Sequence, residues 1–79
     1  MTLAELAVGG RGIVSVVSGD DEISLRLMEM GLVPDTQVCL VGLAPWGDPL
    51  EIELRGYRLS LRRSEAQRVE LRCGDVGTA

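Results

Sequence analysis

The side chains able to do chemistry are few, and their types narrow the choice. The sequence holds no histidine, so the commonest general base is missing. Cys39 and Cys73 are the only thiols. They stand far apart, without the Cys-x-x-Cys spacing of a metal knuckle and without a base beside either sulfur. As metal ligands they are low-ranking candidates. Surface carboxylates and one thiol could capture a divalent ion opportunistically, for instance between two copies. Gly9-Gly10-x-Gly12 lacks the lysine of a phosphate-binding loop and leads into a β-branched run rather than a helix. No motif requires a cofactor, and nothing assembles a catalytic set, so the chain reads as a non-enzyme.

What remains is binding chemistry. Pro45, Trp46, Gly47, Asp48 and Pro49 form a loop in which two prolines limit the entropy lost on binding. Trp46 is a large amphipathic anchor of the kind enriched at interfaces. The plainer alternative is that the prolines and Gly47 only shape a turn and that Trp46 lies back on the domain. A second candidate surface is carried by Leu25 and Met28, which, with Leu32, fall away from the main apolar stripe of a helix. Such residues are either buried or touch a partner. Arg55, Arg58, Arg62, Arg63 and Arg68 could make a basic strip, but Glu51, Glu53, Glu65 and Glu70 interleave with them. A solvated mixed-charge face is therefore the favoured reading.

These residues need elements to hold them. Thr2 and Glu5 have capping-box spacing and predict a short N-terminal helical turn that tucks in Leu3 and Leu6. Gly12–Val17 reads as a strand. Asp20–Met30 reads as a helix, with Ile23, Leu27 and Met30 on one face and the acids Asp20, Asp21 and Glu22 in the first turn. Gly31 ends it and Pro34 prevents its resumption. Strands follow over 36–43, 50–54 and 57–61, the last two joined by the turn Arg55-Gly56. That hairpin fixes its own register: Leu54 opposite Tyr57, Ile52 opposite Leu59, Leu50 opposite Leu61, all six on one face. Glu53 then meets Arg58. A short turn near Ser64-Glu65-Ala66 precedes a last strand over 68–73, with Val69, Leu71 and Cys73 inward. Residues 74–79 are expected to be a frayed tail.

Five short strands in a chain of 79 residues close most easily into a small barrel. The fold class is mainly β, one domain over residues 1–73. The net charge of −4 disfavours nucleic acid, whose phosphates dominate such affinity. No apolar run approaches the ~20 residues of a membrane span. With no signal peptide in view, the chain is expected to be cytoplasmic, with free thiols.

The succession Leu3-x-x-Leu6-x-x-Gly9-x-x-Gly12-x-Val14, then Arg26-Leu27-x-x-Met30-Gly31-Leu32-x-Pro34, then Val38, Ala44-Pro45-x-Gly47-Asp48-Pro49, Ile52, Leu59-x-Leu61-Arg62 and Glu65-Ala66 resembles the FeoA family across residues 1–73. The resemblance implies an SH3-like barrel. It implies a partner, FeoB, the membrane ferrous-iron transporter with a cytoplasmic GTP-binding region, and so recruitment to the inner face of the membrane. A weak homodimer is compatible with it. The same domain type resembles the C-terminal domain of iron-dependent repressors, so the alternative function is a metal-responsive regulatory module. Asp35 departs from the family pattern, which usually has Gly after the proline. Asp tolerates turn geometry, so the fold expectation stands.

Overall fold

The computed structural model describes residues 1–72; Cys73 and the tail expected at 74–79 lie outside them. A 3-10 turn, Leu3–Glu5, opens the chain, and the Glu5 carboxylate accepts the Thr2 N–H at 2.7 Å, closing the turn as the capping-box spacing predicts. Strand β1 is Arg11–Val17 and helix α1 is Glu22–Glu29. Strands β2, β3 and β4 are Gln37–Leu43, Leu50–Leu54 and Tyr57–Leu61. A four-residue helix α2, Arg63–Ala66, leads to β5, Val69–Arg72.

The strands form one antiparallel sheet in the order β4-β3-β2-β1-β5. Register shifts between Val14 and Val16, and between Leu40 and Gly42, mark β-bulges, which bend a sheet and increase its twist. The curled sheet wraps a core of Val14, Val38, Leu40, Leu50, Ile52, Leu61 and Val69, joined by Leu3 from the first turn and Leu27 and Leu32 from the helix region. The bulge in β1 explains why Val16 is half exposed although it belongs to a β-branched run.

The hairpin register is the one the sequence predicts, pair for pair from Leu50↔Leu61 to Leu54↔Tyr57. Its turn has positive φ at both Arg55 (52°) and Gly56 (84°), the geometry that matches strand twist in a two-residue loop. One side-chain expectation fails there. Leu50, Ile52, Leu54 and Leu61 are buried, but Leu59 is only partly buried and Tyr57 is exposed. The Tyr57 hydroxyl is drawn outward because it donates to the Met30 carbonyl at the end of α1.

The helix is shorter than the predicted Asp20–Met30. Asp21 is its N-cap, with Oδ1 accepting the Ser24 N–H at 3.2 Å, so Asp20 lies outside the first turn. At the other end Gly31 has φ 108°. Its N–H meets the Met28 carbonyl and the Leu32 N–H meets the Leu27 carbonyl, a Schellman closure. That closure turns Leu32 into the core beside Leu27, so Leu32 does not join Leu25 and Met28 on the outer side. Asp35 takes φ 73°, a left-handed turn conformation that glycine adopts without strain.

Candidate functional site

The loop between β2 and β3 is closed by backbone bonds. Gly47 N–H meets the Ala44 carbonyl at 2.7 Å, and Ala44 N–H meets the Pro49 carbonyl at 3.1 Å. Pro45 and Trp46 occupy the two central positions of that turn. Trp46 is 90% exposed, so it does not lie back on the barrel. The peptide bond between Asp48 and Pro49 is cis.

Sequence reasoning missed what holds this loop. Arg63, assigned with its neighbours to a solvated face, reaches under it. Its Nη2 and Nε donate to the Gly47 carbonyl at 2.8 and 3.2 Å, and its Nη1 donates to the Ala4 carbonyl at 3.1 Å. The Asp48 carboxylate accepts the Arg63 backbone N–H at 3.0 Å. One planar guanidinium thus joins the loop, the first turn and α2, a use that suits its rigid fork of donors. No periodicity signals such a contact. The only hint in the sequence is that Arg63 and Glu65 open a second short helix.

Two of the other arginines weighed as a possible basic strip also take separate partners. Arg68 pairs with Asp21 at 2.6 Å, and Arg55 reaches the Thr36 hydroxyl at 3.4 Å. Elsewhere Arg26 pairs with Glu65 at 3.1 Å, and Arg72 pairs with Asp35 at 2.9 Å. The Arg68 guanidinium, followed by the Ser24 N–H, holds the Asp21 carboxyl below the usual carboxylate range. Glu65 also accepts the Arg62 N–H at 2.9 Å. Helix α2 therefore braces both candidate surfaces, α1 through Arg26–Glu65 and the Trp46 loop through Arg63–Gly47.

On α1, Leu25 is 55% and Met28 37% exposed. They line an open groove with Gly19, Asp20, Glu22 and Ser24. Ile23 and Met30 pack on the core from the opposite side. Both candidate surfaces are exposed, and they are formed by different elements.

Cys39, on β2, is partly buried and has no disulfide partner among the described residues. It stands between Arg11 on β1 and Glu53 on β3 in the sheet ladder, beside an open recess of about 420 Å3. Among the described residues no three His, Cys, Asp or Glu side chains cluster as a metal-holding set. No helix among them is long and apolar enough to cross a membrane.

Comparison with known proteins places these features in a family. The FeoA domain profile matches residues 1–73. A curated relative is the Fe(2+) transport protein A/Fe(2+) transporter FeoB fusion protein of Porphyromonas gingivalis, 34% identical over 71 residues. These residues are 90% of this chain but only 8% of that protein, so the chain spans a small part of the relative it matches. Among solved structures, FeoA of Stenotrophomonas maltophilia complexed with zinc, described as a prokaryotic SH3 domain protein, is 36% identical. It superposes with a TM-score of 0.82 over 92% of this chain and 91% of that one. A FeoA-like protein of Clostridium acetobutylicum is 32% identical, with a TM-score of 0.88 over 100% and 92% of the two chains. A manganese-dependent transcriptional repressor shares the fold alone, at 16% identity and a TM-score of 0.81 over 90% of this chain and 35% of the repressor. By sequence along nearly its whole length and by its five-stranded SH3-like architecture, the chain belongs to the FeoA family.

Proposed function

We propose that this chain is a non-catalytic accessory protein of ferrous iron uptake that binds the cytoplasmic GTP-binding region of a FeoB-type transporter, using the Pro45–Pro49 loop with Trp46 as its anchor. The observation that carries this reading is a fully presented indole on a loop whose carbonyl is held by the Arg63 guanidinium. A large apolar side chain on a pre-ordered loop loses little entropy when it is covered. The fusion of a related domain to FeoB in Porphyromonas gingivalis supports the choice of partner. The protein would act from the cytoplasm, held at the inner membrane face by the transporter. Binding alters the transporter only if it favours one transporter conformation over another.

The test is titration of the full chain against intact FeoB in lipid nanodiscs, with a GTP analogue, with GDP and without nucleotide. Binding that differs between nucleotide states, and that Trp46→Ala weakens by about 2 kcal/mol as for a central aromatic anchor, is the expected result. Absence of binding in all three states would remove the reading.

A further inference from the structure

The outer face of α1 has a chemistry of its own. Leu25 and Met28 are exposed one turn apart on the same side of the helix, and with the Gly19–Ser24 segment they shape an apolar groove of about 610 Å3. The rim is acidic. Asp20, Asp21 and Glu22 border the groove, and Glu29 is exposed at the far end of α1. The arginines nearby do not neutralise this rim as a whole. Arg68 is engaged with Asp21 alone, and Arg26 turns away to Glu65 on α2. Asp20, Glu22 and Glu29 have no ion-pair partner among the described residues. Residues 20–30 hold four acids and one arginine.

An apolar floor inside a rim where Asp20, Glu22 and Glu29 carry unpaired charge fits a complementary segment and rejects an acidic one. We infer that the α1 groove is a second docking site for the transporter. Its occupant is a basic segment of FeoB that places one aliphatic or aromatic side chain between Leu25 and Met28 and a Lys or Arg beside Asp20 and Glu22. This inference rests on the reading that the chain binds FeoB, and it specifies the polarity and the surface of that contact. Methionine suits such a floor, because its unbranched side chain adapts to the group it covers. A second copy of this chain is disfavoured at the same place, since two α1 faces meeting across a two-fold axis would bring their acidic rims together.

The experiment titrates intact FeoB in nanodiscs with the wild-type chain, the Leu25→Ser/Met28→Ser variant and the Glu22→Lys variant, at low and moderate salt. Both Leu25 and Met28 are exposed, so unchanged circular dichroism and melting are expected and are checked first. The apolar variant should weaken binding about thirtyfold, as for loss of an interface hot spot. Charge reversal at Glu22 should weaken it about fivefold at low salt and less at moderate salt. Wild-type binding with both variants indistinguishable from it would overturn the groove assignment and leave the FeoB reading intact. No wild-type binding would overturn both. Self-association of the wild type in sedimentation equilibrium, abolished by the apolar variant while FeoB affinity is unchanged, would give the groove to a second copy and also overturn the proposal.

Discussion

The Arg63 guanidinium spans two backbone carbonyls, Gly47 on the Trp46 loop and Ala4 in the first turn. Sequence-distant segments are thus fixed by one side chain. Arg63→Met keeps the aliphatic stem and removes every donor, and should cost about 2 kcal/mol, the range for hydrogen bonds to a charged group. Lysine at this position should restore only part of that, because a point charge does not reproduce the planar fork. Trp46 is the only tryptophan, so its fluorescence anisotropy reports the loop directly. Anisotropy should fall in Arg63→Met while the far-ultraviolet circular dichroism is unchanged.

Leu25 and Leu27 sit two residues apart on α1 with opposite surroundings, 55% exposed against fully buried. Leu27→Ala should destabilise by about 3 kcal/mol, through lost burial and a residual cavity. Leu25→Ala should stay within about 0.5 kcal/mol of wild type, as an exposed substitution does. Urea denaturation of the two variants checks the contrast.

Two glycines with positive φ separate backbone strain from steric collision. At Gly56 an added Cβ meets nothing within 4 Å, so Gly56→Ala should cost only the left-handed penalty, about 1–2 kcal/mol. At Gly31 the Cβ would stand 2.6 Å from the Tyr57 hydroxyl oxygen and 3.3 Å from a Leu54 methyl. Gly31→Ala should therefore cost more than Gly56→Ala and break the bond from Tyr57 to Met30. Thermal melts order the pair, and the Tyr57 ring resonances in NMR show whether the contact is lost.

Asp21 carries a pH dependence of defined sign. Its folded pKa lies below its ordinary value of 3.8, chiefly because Arg68 donates to it. Below that ordinary value the unfolded chain takes up the proton first. The stabilisation is thus complete above about pH 4 and is lost as pH falls through the lower folded pKa. Asp21→Asn retains an N-cap acceptor while removing the charge. Denaturation followed between pH 2 and 6 should show a shallower acid loss in that variant than in wild type.

Much of the barrel was legible because its signals are local. The hairpin register follows from counting outward from Arg55-Gly56, and the helix stop from Gly31 before Pro34. Side-chain placement was less legible wherever a distant partner decides it. Tyr57 turns out to meet Met30, Leu32 turns in through the Schellman closure, and Val16 turns out at a bulge. The Trp46 loop and the Leu25–Met28 pair could be named from composition. The brace between them, through Arg26, Glu65 and Arg63, could not, because arginine on a short helix looks the same whether it meets water or a carbonyl 16 residues away.

The sheet order has a kinetic meaning. Strands β2, β3 and β4 are each joined to the next in the chain, so this meander closes short loops and can form early. The pairing of β1 with β5 joins Ile13 to Arg72, across nearly the whole described chain. Closure over that span must wait until the intervening segments are already compact, since the ordering entropy precedes any gain from the contact. The domain should therefore fold at the slow end for its size, in about milliseconds to seconds as β-rich barrels do. Substitutions in β5 should speed unfolding far more than they slow folding.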